Sequence, residues 1–265
     1  MSLFAPPPPG IYEFTEVLTF HFADPSTPAS LSDEATDAGK VWAFTLSRYL
    51  RLEKTGTIWW ALIHGAPQKA KLFIDWKTAQ GRDDYEASPE AQEIRNGWES
   101  VTASPVHSAI YRLPSDKVAR SAGLHTSTDT VSALFTFKFN SQPTSDEAAQ
   151  WDASFASFAR AVLKSPGGVV ATTFSYGWEL NQTSFCAAFR YLNIESMQYF
   201  VGQDNESQLF GELQSRATGG VELEFLETRV YDQGWQGSVD KTRPENPATA
   251  SLIAHAQNIF QGFNH

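Results

Sequence analysis

The chain has 265 residues, 42% hydrophobic and 13% aromatic, enough to build a sizeable core in one large domain or in two of ordinary size. Its net charge of −10 and pI near 5.0 exclude a nucleic-acid partner, which needs clustered Lys and Arg. The single cysteine, Cys186, allows no internal disulfide, and no membrane-length apolar run or basic-then-apolar leader is found, so a cytoplasmic soluble protein with no membrane partner is expected.

In chain order, Pro6-Pro7-Pro8-Pro9 marks residues 1–10 as an extended N-terminal arm. Tyr12–Phe22 alternates like a strand, and a Ser/Pro/Asp-rich loop leads to a helix carrying Trp42, Leu46, Tyr49 and Leu50 on one stripe. Lys54-Thr55-Gly56 is expected to close that helix. Strands follow at Thr57–His64 and Lys71–Trp76, then a helix over Ala79–Trp98 with a break near Ser88-Pro89, then a fourth strand at His107–Leu113. The half reads β-α-β-β-α-β.

Pro114–Thr130, poor in apolar residues, reads as a linker, after which the order restarts. Strand Ser132–Phe139 repeats the first strand: Leu18, Thr19, Phe20 and Phe22 are answered by Phe135, Thr136, Phe137 and Phe139. A helix carries Trp151, Phe155, Phe158 and Val162. Strands at Val169–Tyr176 and Ser184–Arg190, helical pieces at Ile194–Phe200 and Gln208–Gln214, and a strand at Val221–Tyr231 complete the second half. A last helix is expected over Pro247–Phe260. The expected organisation is therefore an arm (1–10), a first repeat (11–113), a linker (114–130), a second repeat (131–231) and a C-terminal extension (232–265).

One difference between the matched strands carries the chemistry. Glu16 of the first is answered by Ala133 of the second, and Glu16 shares its face with Phe14, Leu18, Phe20 and Phe22. A carboxylate aimed at an apolar interior loses solvation when charged, which suits it to acid/base work near neutrality. The structural alternative is a Glu16 at the strand edge, solvated or paired with an arginine. His64, sharing a face with Trp60 and Leu62, is a second candidate, but the first two strands of such a unit run parallel, which sets His64 and Glu16 toward opposite ends of the sheet. Phe14, Leu18, Phe20, Trp60, Leu62, Leu72, Ile74, Trp76 and Trp98 form the candidate walls for a flat apolar ligand, or plain core. In the second half Phe135, Phe137, Phe185, Ala187 and Phe189 offer no inward acid or base, so that half reads as structural or as a degenerate site. No His/Asp/Glu pair has close metal-ligand spacing, and phosphate-loop, nucleophile-elbow and dinucleotide motifs are missing.

The tandem β-α-β-β-α-β order resembles the dimeric α+β barrel superfamily, including stress-responsive A/B-barrel and antibiotic-biosynthesis monooxygenase types, of the kind found in fungal and bacterial secondary metabolism. The local match is Phe73-Ile74-Asp75-Trp76-Lys77-Thr78 running into Asp84-Tyr85-Glu86-Ala87-Ser88-Pro89, which is similar to a segment of plant polyketide cyclases. The resemblance implies an α+β fold in which two ferredoxin-like repeats close an intramolecular barrel, as a monomer or a weak homo-oligomer. It also implies that Glu16 takes the position of those cyclases' first-strand histidine, and Tyr85 that of their catalytic tyrosine. Ala91 stands where they carry another histidine, which speaks against an identical mechanism. Two-repeat relatives that bind haem do so through a histidine of the second half; none occurs here between His125 and His255.

Taken together, the expectation is a cofactor-independent enzyme acting on a hydrophobic polyketide-like or aromatic small molecule. Its reaction is a cyclisation, dehydration, isomerisation or other lyase step with Glu16, Tyr85 and His64 as candidate catalytic residues. The alternatives are a cofactor-free monooxygenase and a non-catalytic ligand-binding protein.

Overall fold

A computed structural model describes residues 14–31, 33–112, 131–164, 171–191 and 204–231. They fall into two compact units, one holding residues 14–112 and the other residues 131–226. The expected linker, the helix at Ile194–Phe200 and the C-terminal helix lie outside the described residues.

The N-terminal unit contains β1 (Phe14–His21), α1 (Thr27–Ser30), α2 (Asp37–Arg51), β2 (Thr55–Ile63), β3 (Lys69–Trp76), α3 (Ala79–Glu86), α4 (Pro89–Glu99) and β4 (His107–Tyr111). Its four strands pair antiparallel in the order β4-β1-β3-β2. The C-terminal unit contains β5 (Val131–Lys138), α5 (Ser145–Lys164), β6 (Ala171–Trp178), β7 (Ser184–Tyr191), α6 (Asp204–Arg216) and residues 220–226 of β8 (Gly220–Tyr231). Its order is β8-β5-β7-β6, the same arrangement in its own numbering. Each unit is thus a ferredoxin-like α+β unit, the fold class read from the sequence.

Local chemistry sets the helix boundaries. The Thr36, Thr78 and Ser88 side chains accept from the backbone N–H of Gly39, Gly81 and Ala91, capping α2, α3 and α4. Pro89, whose missing N–H costs nothing at the first turn, starts α4 and makes the expected break at Ser88-Pro89 real. In α5, Thr144 and Glu147 form a reciprocal box: Glu147 Oε2 accepts from the Thr144 N–H and hydroxyl, both at 2.8 Å, and Thr144 Oγ1 accepts from the Glu147 N–H. One expectation fails: α2 ends at Arg51, and Thr55 and Gly56, read as its stop, already lie in β2. The Thr55 hydroxyl donates to the Tyr49 and Leu52 carbonyls, so it closes the helix from the strand.

The helices of the N-terminal unit cover one sheet face with an aromatic core. Trp42 packs edge-on against Phe20, Trp60 and Trp98, with centroids 5.4, 5.2 and 5.4 Å away. Val17, Phe73, Ala109 and Tyr111 on the other face are buried as well. In the C-terminal unit Phe135, Phe137, Trp151, Phe155, Phe158, Phe185, Phe189 and Phe210 build the equivalent core.

Candidate functional site

Glu16 sits one turn of the pleat inside β1, opposite Ile74 of β3 and Ile110 of β4. It points to the helix-covered face and is 1% exposed. Its charge is met from three other elements. Arg82 of α3 donates to Oε1 through Nη2 at 2.8 Å and Nε at 3.3 Å. The Ser108 hydroxyl of β4 donates to the same oxygen at 2.6 Å. The Trp76 indole, at the end of β3, donates to Oε2 at 2.9 Å. Of the readings weighed for this residue, the arginine-paired one is what the structure holds, in the interior and not at the edge. Oε1 is fully used, while Oε2 keeps one acceptor position.

The placement follows from chain geometry. Trp76 ends its strand and Thr78 caps the next helix, so the short connection turns Arg82 back over the sheet toward Glu16. The Arg82 side chain is 21% exposed. Burial works against its charge, but Glu16 first, and Glu86 and Asp83 after it, together outweigh that and drive its pKa further up.

Tyr85 lies three residues beyond Arg82 on the same helix face. Its ring packs against Trp76 at 5.7 Å and Tyr49 at 5.2 Å, and its hydroxyl is buried without a hydrogen-bond partner. Burial, reinforced by Glu90 and Glu86, raises its pKa well beyond the ordinary phenol range; the nearby Tyr49 hydroxyl softens this without reaching hydrogen-bond geometry. Tyr49 is raised too, first by burial and then by the Glu16 charge. Both phenols therefore stay protonated. Glu86 beside them is also raised, by burial and the Glu16 charge, although Arg95 holds it at 2.7 Å.

Leu18, Phe20, Trp60, Leu62, Leu72, Ile74, Trp76 and Trp98 all belong to the one apolar cluster under these groups. Phe14 is buried but stands apart from it, with the Arg112 guanidinium 5.9 Å from its ring centroid. His64 is not brought to the site. It follows β2, six residues beyond Ile58, which shares a row with Ile74 and Glu16, so roughly 20 Å of strand separates the two.

Arg82, Ser108 and Tyr49 were missed as site residues. The available signal was that an interior carboxylate needs a cation, and Arg82 shares a helix face with Tyr85. In the second unit Asp152 of α5, half-buried, accepts from the Trp178 indole at 2.9 Å. Among the described residues no group of three or more His, Cys, Asp or Glu could hold a metal ion, and no helix is long and apolar enough to cross a membrane.

By sequence, no protein-family profile and no curated relative matches the chain. By structure it is similar to an anthrone oxidase-like protein, with a TM-score of 0.60 and 10% identity over 85% of this chain and 96% of that one. A candidate monooxygenase from Fusobacterium nucleatum gives 0.56 and 8% identity over 89% of this chain and 100% of that one. Another, from Lactobacillus acidophilus, gives 0.52 and 9% over 83% and 96%. These likenesses establish the ferredoxin-like α+β fold that the chain shares with proteins of the monooxygenase type.

Proposed function

We propose that the chain is a cofactor-independent small-molecule enzyme that takes a flat, oxygenated aromatic substrate into the N-terminal unit. The observation that carries this reading is the Tyr85 hydroxyl: a buried donor with no acceptor, walled by Tyr49 and Trp76. Buried polar groups are almost always satisfied, so an orphaned donor among aromatic rings suits a ligand that brings its own carbonyl or phenolate oxygen.

Oxygen-dependent oxidation is the reaction class best supported. Glu16 is committed to Arg82, Ser108 and Trp76, which makes it a positioning residue for the indole and for α3. The likeness to an anthrone oxidase-like protein points the same way. In this chemistry a methylene between aromatic rings becomes a ketone: the carbon loses two hydrogens, dioxygen supplies one atom to the new carbonyl, and the other leaves as water. Tyr85, held protonated, donates to the substrate oxygen on which enolate charge develops. An acid/base lyase or cyclase step is the second reading, supported by the acceptor position left on Glu16 Oε2.

The test uses 1,8-dihydroxyanthrone as probe, with purified chain, no added cofactor and an oxygen electrode. The expected result is uptake of one dioxygen per substrate, faster than in buffer, with a rate at least tenfold lower in Tyr85→Phe. Uptake no faster than in buffer sinks the oxidase reading. Tautomerisation of the probe that persists under argon without any oxygen-dependent uptake transfers the case to acid/base chemistry, and binding without turnover leaves a ligand-binding protein.

A further inference from the structure

The C-terminal unit contains a hollow of about 300 Å³ that belongs to no part of the Tyr85 site. Phe139 and Trp151 line it, their rings edge-on at 5.0 Å, together with Glu147 and Gln150 of the first turns of α5, Arg216 at the end of α6, and Thr218. Its walls are tied before any ligand arrives. The Asn140 N–H and side-chain amide donate to the Thr218 hydroxyl and carbonyl at 3.1 and 2.8 Å, and the Gly219 N–H donates to the Lys138 carbonyl at 2.8 Å. The Thr144–Glu147 box fixes the opposite wall.

Arg216 is the unusual member. In a chain of net charge −10 its guanidinium has no ion-pair partner among the described residues, only a 3.4 Å bond from Nη1 to Gln150 Oε1. Four of its five N–H donors are uncommitted, in the planar fork that matches a carboxylate. A volume of this size is at the small end for ligand sites.

We propose that this hollow is a second ligand site, for a small planar aromatic carboxylate whose ring lies against Phe139 and Trp151 while its carboxylate takes the Arg216 fork. Glu147, also on the wall, disfavours a second negative charge, so the site selects a monoanion. The pocket stands on its own observations, independent of any chemistry at Tyr85.

Calorimetric titration of the full chain with 2-naphthoate, alongside neutral 2-naphthalenemethanol, tests the site. We expect one naphthoate per chain, binding weakened at least tenfold in Arg216→Gln and less in Arg216→Lys, and no effect of either substitution on the alcohol. Arg216 is exposed, and thermal midpoints matching the wild type confirm that the variants fold. No naphthoate binding up to millimolar concentration overturns the proposal, as does equal affinity for wild type and Arg216→Gln.

Discussion

The two units lay their strands in the same order, yet they treat the same interior position in opposite ways. In the N-terminal unit the buried Glu16 accepts a hydrogen bond from Ser108, which is itself exposed on β4. The register of the C-terminal unit puts Ala133 and Leu223 at the corresponding places, since Leu18 faces Ser108 as Phe135 faces Leu223. Both members change together: Ala133 joins the apolar core and Leu223, partly buried, packs against it. A buried charge is tolerated only with its whole set of partners. Where the set is broken up, the fold fills the space with carbon. The C-terminal unit keeps its own carboxylate–indole bond, Asp152 to Trp178, but builds it from a helix.

The sharpest way to break this comparison is Arg82→Ala. It leaves the Glu16 carboxylate at 1% exposure without its cation. We expect a loss of about 3 kcal/mol in urea unfolding, the lower end for a broken buried pair because the Arg82 side chain is partly exposed. Glu16→Ala, Ser108→Leu and Arg82→Met combined import the apolar solution of the other unit and should recover most of that loss. A cost below about 1 kcal/mol for Arg82→Ala would mean that water already reaches the carboxylate.

Tyr85→Phe sharpens the comparison from the other side, because it should stabilise. Removing a buried hydroxyl that has no partner relieves its desolvation cost, worth about 1 kcal/mol, while oxidation of the anthrone probe falls. A Tyr85→Phe variant less stable than the wild type would show that the hydroxyl is satisfied and that the orphaned donor is not available to a substrate.

Much of the fold was legible because strand alternation and helical stripes are local signals. Glu16, the Ser88-Pro89 break and the answering Ala133 all stand in the sequence itself. The partners of Glu16 were not legible for a physical reason: Arg82 and Ser108 are 66 and 92 residues away, and only sheet register and the turn after Trp76 bring them in. Arg82 lies in a helix where arginines usually face water, and Trp76 was read as a wall when its indole N–H is a ligand of the carboxylate. Asp152 was hidden in the same way. It follows Trp151 on a helix whose apolar stripe dominates the sequence pattern, and its partner Trp178 is 26 residues on.

The smallest expected effect lies at that second indole pair. Burial raises the Asp152 carboxyl above its ordinary 3.8, and the bond from Trp178 offsets this only in part. The folded chain therefore holds this proton more tightly than the unfolded one. Stability contributed here falls as pH rises from 3.8 through the raised value, and the penalty persists above it. An asparagine at this position would keep a carbonyl acceptor for the indole and carry no charge. Asp152→Asn should thus raise the thermal midpoint slightly at pH 7, by little because the side chain is half in solvent, and the difference should vanish below pH 3.8. A wild type more stable than the variant at pH 7 would mean that the carboxylate gains more from the indole than it loses to burial. The two units would then both rest on a charged acceptor, reached from a strand in one and from a helix in the other.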